Sequence, residues 1–251
     1  MFASYLFYGV PGAGKSSLIA GLAGKFQRNV CYLQLCDKEM SDDALKTAIH
    51  RVPSRSIVVL EDIDAMFQKN RQKKNDTPLT FSGLLNALDG IGSNSGQIFV
   101  LTTNERENLD EALIRHGRVD VQVEFQYCVA EQASLMFENF YPAADAGLAG
   151  DFAKKLFEVL GDRPLSTAAL QGFFIHRRRA TAREALDGVK DIATELDQRD
   201  TRKAMEEAEQ KKKQAKKGDD DEEDEAEEKK APAPAATPVA QLLELVKLLQ
   251  A

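Results

Sequence analysis

Between residues 5 and 128, short apolar runs alternate with segments of helical period. YLFY (5–8) is apolar and runs straight into a glycine-rich stretch, which predicts a strand ending in a turn. SSLIAGLAGKF (16–26) has helical spacing, and NVCYLQL (29–35) reads as a second strand. SDDALKTAIHRV (41–52) opens on a serine followed by two acids, the signature of a capped helix start. SIVVL (56–60), QIFVLTT (97–103) and VDVQVEF (119–125) predict three more strands. SIVVL has no polar alternation after its first residue, as a strand covered on both faces requires. Strands spaced by helices of this length imply βαβ units and a parallel sheet.

The pattern changes after residue 128. AEQASLMFENF (130–140), GLAGDFAKKLFEVL (147–160), STAALQGFFIHRR (166–178) and TAREALDGVKDIATEL (181–196) predict four helices, broken by Pro142, Gly161–Pro164 and the 177–181 junction. From about residue 200 the chain is of low complexity. A lysine cluster (Lys211 to Lys217) precedes nine acids in the ten residues Asp219–Glu228, and then comes APAPAATP. Such composition buries too little apolar surface to fold alone. A helical stripe returns at the end through Leu242, Leu245, Val246 and Leu249. The expected organisation is an α/β core over 1–128, a small all-helical domain over 129–197, a disordered charged and Pro/Ala-rich tail over 198–238, and a short amphipathic helix over 239–251. The fold class is α/β, a three-layer αβα parallel sheet with a helical satellite.

Composition narrows the function. At 251 residues and 43% hydrophobic, the chain can bury one sizeable core and a smaller one. Residues 201–251 hold 10 Lys+Arg against 13 Asp+Glu, leaving 23 against 27 in residues 1–200. Neither part supplies the basic field that nucleic-acid phosphates demand, so nucleic acid is excluded as an expected partner. The three cysteines form neither a disulfide framework nor a zinc pattern, and Cys31 and Cys36 read as small apolar residues in or near a buried strand. No run approaches the roughly 18 apolar residues of a membrane helix, and no signal peptide is visible before the glycine motif begins at residue 9.

That motif carries the chemistry. Gly9, Val10, Pro11, Gly12, Ala13, Gly14, Lys15 and Ser16 match G-x-x-x-x-G-K-[ST] between a strand and a helix, with Ser17 following. The glycines let backbone N–H groups wrap a polyphosphate, and the helix start adds partial positive charge. Lys15 is placed for the β- and γ-phosphates of ATP and Ser16 for Mg²⁺. At the end of SIVVL, Glu61 and Asp62, with Asp64 beyond, are placed to hold the metal and polarise a water. Asn104 ends the next strand and can hold that water. Arg115 and Arg118 follow a short helix begun by Asp110 and are candidate arginine fingers, whose natural target is a neighbouring subunit's site.

In this order and spacing, GVPGAGKS, LEDIDA, TFSGLLNALDG, TTN and LDEALIRHGRVD resemble an AAA-family ATPase domain. The resemblance covers roughly residues 4–190. LEDID in place of the usual DEID, together with TFSGLLNALDG and the later STAALQG, is similar to the mitochondrial inner-membrane AAA chaperones of respiratory complex III assembly, which translocate the folded Rieske iron–sulfur protein. The resemblance implies ATP hydrolysis in a homo-oligomeric ring that moves protein cargo, at the mitochondrial inner membrane. It implies that Lys15 and Ser16 bind phosphate and Mg²⁺, Glu61 stands on the metal side, Asp62 where the family has the catalytic Glu that activates water, Asn104 is the sensor and Arg118 the finger acting in trans. His116 replaces the proline usual between the two arginines. The family's membrane helix, amino-terminal domain and adenine-side segment have no counterpart in this stretch. CDKEMSDD (36–43) lacks the aromatic and glycine of a threading pore loop, which suits a folded cargo. The basic loop KNRQKK (69–74) reads either as pore-facing or as a solvated loop. A non-hydrolysing nucleotide-binding subunit with a structural role is the alternative, and turnover of ATP separates the two.

Overall fold

The computed structural model describes residues 3–66, 77–89, 96–115, 117–198, 201, 202 and 205. They fall into two compact units, one running through Gln126 and the other starting at Tyr127. The expected disordered tail begins helically, at residues 198, 201, 202 and 205; the rest of it, the terminal stripe, the 69–74 loop and His116 lie outside the described residues.

The first unit is built on five strands: β1 (Ala3–Gly9), β2 (Asn29–Leu33), β3 (Ser56–Leu60), β4 (Ile98–Thr103) and β5 (Val121–Phe125). All pair in parallel, in the order β2-β3-β4-β1-β5. Helices α1 (Lys15–Lys25), α2 (Asp42–Arg51) and α3 (Phe81–Asp89) complete it. The pleat sorts the strand residues. Leu6, Val58, Leu60, Phe99 and Leu101 share a core with Leu45 and Ile49 of α2 and Leu84 and Leu88 of α3. Tyr5, Phe7, Ile57, Val59, Ile98 and Val100 share another with Ile19, Leu22 and Ala23 of α1. The sheet is thus sandwiched between helices, the predicted three layers. β3 and β4 are buried along their whole length, which explains their lack of polar alternation.

Three local expectations need correction. β2 stops at Leu33 and is an edge strand, leaving Cys31 only half-buried and Cys36 exposed in the following turn. With one neighbour in the sheet, β2 lacks the cover that a buried cysteine strand assumed. Residues 110–113 form a turn in place of a short helix: the Ala112 N–H donates to Asp110 Oδ1 at 2.8 Å and the Leu113 N–H to the Asp110 carbonyl at 3.0 Å. The polar side chain here competes with a helical ladder. The third correction falls in the second unit.

Helix starts follow their caps. Ser41 Oγ accepts the Ala44 N–H at 3.1 Å, with Asp42 and Asp43 in the first turn of α2. Thr80 Oγ1 caps α3 by accepting the Gly83 N–H at 2.9 Å, and Thr80 is itself held from another helix. The Asp42 carboxylate accepts the Thr80 N–H and the Thr80 hydroxyl, both at 2.7 Å. Gly83 admits this approach, since a Cβ there would lie 2.0 Å from Asp42 Cγ.

The second unit comprises α4 (Ala130–Phe140), α5 (Leu148–Leu160), α6 (Thr167–His176) and α7 (Ala182–Asp187), with a further helical run over 189–198. Its core is aromatic: Phe137, Phe152, Phe173 and Phe174 are fully buried, and Phe137 and Phe152 centre 4.7 Å apart. The single helix expected over 181–196 is broken at Gly188, which leaves the helical backbone run where Arg177 Nε would be 3.0 Å from a Cβ. Among the described residues no helix is long and apolar enough to cross a membrane.

Candidate nucleotide site

Register brings the motif residues together. β1 pairs with β4 through Tyr8 opposite Thr103, so the loop after Gly9 emerges beside Asn104. β4 pairs with β3 through Leu60 opposite Leu101, so Glu61 and Asp62 emerge on Asn104's other side. The crevice outside the carboxyl ends of these strands is where open α/β sheets bind ligands.

Gly9 has φ +114°, and a Cβ on it would lie 2.3 Å from the Phe125 carbonyl oxygen, so only glycine fits against β5. Val10 continues that contact, its N–H donating to the same oxygen at 2.9 Å. Gly12 and Gly14 also have positive φ, and Gly14 leads into α1 without any side-chain cap. A helix start left without a side-chain cap is a ready site for an anion. Pro11 and Gly12 are exposed on the loop, and Ala13 is half-buried.

Lys15 is 8% exposed. Its ammonium donates to Asn104 Oδ1 at 2.7 Å, the Gly9 carbonyl at 2.8 Å and the Val10 carbonyl at 3.2 Å. Those partners take up its three protons. Loss of water pulls its pKa below that of a free lysine, against the smaller opposing pull of the Asp62 and Asp64 charges. A phosphate would restore what burial removes. Ser16 Oγ donates to Glu61 Oε1 at 2.9 Å, which puts a hydroxyl and a carboxylate side by side at the mouth of the loop. Ser17 is exposed one position further along α1.

Asp62 is held in the left-handed region, φ +48° and ψ +54°, at the start of a single 3-10 turn, Ile63–Ala65. Its N–H donates to Thr102 Oγ1 at 3.2 Å. Such a conformation in a residue other than glycine marks stored strain at a site. Thr103 donates its hydroxyl to Asp64 Oδ1 at 2.7 Å and accepts the Glu105 N–H at 3.1 Å. Thr102 and Thr103, both buried, orient the acids and the residues after Asn104; pattern reading missed this role. The only signal was two threonines ending an otherwise apolar strand.

The protein donors suit a magnesium ion carried by phosphates. One hydroxyl and one carboxylate meet at the loop, and among the described residues no group of three or more His, Cys, Asp or Glu could hold a metal alone. Mg²⁺ typically takes one or two protein ligands and completes its shell with phosphate oxygens and waters.

The arginines stand apart from this cluster: among the described residues, no hydrogen bond or ion pair joins Arg115 or Arg118 to Lys15, Ser16, Glu61, Asp62 or Asn104. Arg118 is engaged in its own chain. Its Nε and Nη2 donate to the two carboxylate oxygens of Asp89, each at 2.7 Å, and its Nη1 donates to the Ala112 carbonyl at 2.6 Å. Arg115 is exposed, and its carbonyl accepts the N–H groups of Arg118 and Val119 at 3.0 and 3.2 Å.

Comparison with known proteins agrees with this geometry. Residues 5–127 match the family described as ATPase family associated with various cellular activities (AAA), and residues 130–191 match the mitochondrial chaperone BCS1-like ATPase lid domain. The chain is 43% identical over 179 residues to the mitochondrial chaperone BCS1 of Bos taurus and to that of Homo sapiens, covering 68% of this chain and 42% of each relative. The Danio rerio chaperone of the same name is 42% identical over the same length and coverage. The chain therefore spans about two fifths of the length of these curated relatives. With a five-stranded parallel sheet, a glycine loop facing paired acids and a helical lid, the chain belongs to the AAA ATPase family, in the branch that carries a BCS1-like lid.

Proposed function

We propose that this chain binds ATP with Mg²⁺ and hydrolyses it as a subunit of a homo-oligomeric AAA chaperone. The observation that carries the reading is the pair of bridges from the glycine loop to the strand ends, Lys15 to Asn104 and Ser16 to Glu61. Asn104 Oδ1 accepts one of the three Lys15 protons. Arriving β- and γ-phosphates take the ammonium as their own counter-charge, which frees the Asn104 amide to hold a water in line with the γ-phosphate. Asp62, strained at the mouth of the same crevice, accepts a proton from that water as it attacks. Magnesium, when bound beside Ser16 and Glu61, would neutralise charge developing on the phosphate oxygens. The arginine loop bearing Arg115 and Arg118 serves the next subunit's site in the ring.

The relatives are mitochondrial chaperones, which supports a mitochondrial site of action and a protein cargo. The finer reading rests on the LEDID signature: a folded Rieske-type protein as cargo, at the inner membrane.

Fluorescent-nucleotide titration beside a phosphate-release assay tests the chemistry. Lys15→Ala is expected to abolish nucleotide binding. Asp62→Asn is expected to keep binding and lose turnover by about 10²–10⁴-fold. Retained turnover in Asp62→Asn would move the role to Glu61 or Asp64. No turnover by the unaltered chain at any protein concentration would favour the non-hydrolysing subunit.

A further inference from the structure

Arg118 makes as many hydrogen bonds as Lys15, three. Its guanidinium makes a parallel two-point pair with Asp89 and a third bond to the Ala112 carbonyl, and its side chain is only 20% exposed. A two-point pair fixes the plane of the guanidinium as well as its position. Asp89 is the last residue of α3, and α3 packs its Leu84 and Leu88 into the buried core. Arg118 is thereby fastened to the rigid body of the unit. Leu113, Ile114 and Val119 bury their side chains in the same core. Arg115 sits between these fixed points. It is exposed, and among the described residues its side chain makes no hydrogen bond or ion pair.

We propose that Asp89 is a positioning residue for ATP hydrolysis: by holding Arg118 it sets the arginine loop so that Arg115 projects to the next subunit's nucleotide. This rests on the reading of the chain as a hydrolysing ring subunit. Arg118 acts as the anchor of the loop and Arg115 as its reaching group. The alternative geometry, in which Asp89 is a latch that must let Arg118 go, would sacrifice three hydrogen bonds at each turnover. The mutual effect of the pair points the same way. Hydrogen bonding to Arg118 holds the Asp89 carboxyl below the usual carboxylate range, so the pair persists at any pH where the ATPase would be assayed.

The test uses mixed rings of the full chain at high protein concentration. Subunits carrying Lys15→Ala cannot bind nucleotide but still present an arginine loop to unaltered neighbours. The unaltered subunits should keep their turnover when mixed with a Lys15→Ala excess and lose it, by about tenfold or more, when the excess also carries Asp89→Asn. Alone, Asp89→Asn should lower kcat by a similar factor, with KM for ATP and the nucleotide Kd within about twofold, and Asp89→Glu should recover most of kcat. A role confined to the subunit's own fold would move both mixtures equally. Equal turnover in the two mixtures, or faster turnover by Asp89→Asn, would overturn the proposal while leaving the ATPase reading intact. An unaltered chain without turnover would overturn that reading itself, and the proposal with it. Thermal unfolding of each variant shows that the comparison is made between folded subunits.

Discussion

The two units of this chain solve folding by different means. The helical unit rests on two capped helices and its core. Ser166 and Thr181 cap their helices, Thr181 and Glu184 form a reciprocal box, and an aromatic core does the rest. The α/β unit breaks local rules most densely along one edge, although Gln27 and Arg55, ahead of β2 and β3, are also left-handed. Its glycine loop has three left-handed residues, Asp62 is left-handed without being glycine, α1 starts without a side-chain cap, and Lys15 is buried with a weakened hold on its proton. Departures from local preference gather where a ligand's charges would compensate them. In the helical unit Gly147 and Gly161 have positive φ and α5 starts without a side-chain cap, but among the described residues no buried charge accompanies them, so this unit reads as support.

If that contrast is right, substitutions in the helical unit should cost stability and spare nucleotide affinity. The largest effect should come from Phe174→Ala, which empties a site ringed by Phe137, Phe140, Tyr141, Phe152 and Phe173. A loss of about 3–5 kcal/mol is expected in denaturant unfolding followed by near-ultraviolet circular dichroism. Removing the cap with Thr181→Ala should cost about 1 kcal/mol, with nucleotide titration unchanged. A loss of nucleotide binding in either folded variant would break the contrast. The smallest effect is chemical. Burial pushes the Cys128 thiol up to about 11, so at pH 8 an alkylating reagent should label exposed Cys36 well before Cys128, as read by peptide mass spectrometry. Cys128 should label only when the helical unit opens, which gives a local probe for the Phe174→Ala variant.

The sequence made the sheet legible because β3 and β4 are buried along their length and α2 opens on a capping serine followed by two acids. GVPGAGKS specified its own turn, since only glycine fits beside the Phe125 carbonyl. What stayed hidden depended on partners distant in the chain. α3 carries a good apolar stripe through Phe81, Leu84 and Leu88 and a local cap in Thr80, yet the carboxylate that holds Thr80 in place is Asp42, 38 residues earlier. The grip on Arg118 comes from Asp89, 29 residues away, and spacing alone could not separate that arginine from Arg115. Gly188 has the spacing of an interior helix residue, and the Arg177 side chain packed against it comes from before the helix.

The ties at the two ends of α3 have a mechanical side. Asp42 holds the Thr80 end through two short bonds, and Asp89 holds the Arg118 end through two more. Nine helical residues measure about 13 Å, and an α-helix resists stretching because each turn is bonded to the next. α3 is therefore a spacer of set length pinned at both ends. Its near end is fixed to the residue that follows Cys36–Ser41, and its far end to the arginine loop. Tension applied at either end cannot dissipate by sliding the helix along its axis; it must break a charge-assisted bond or be carried to the other end.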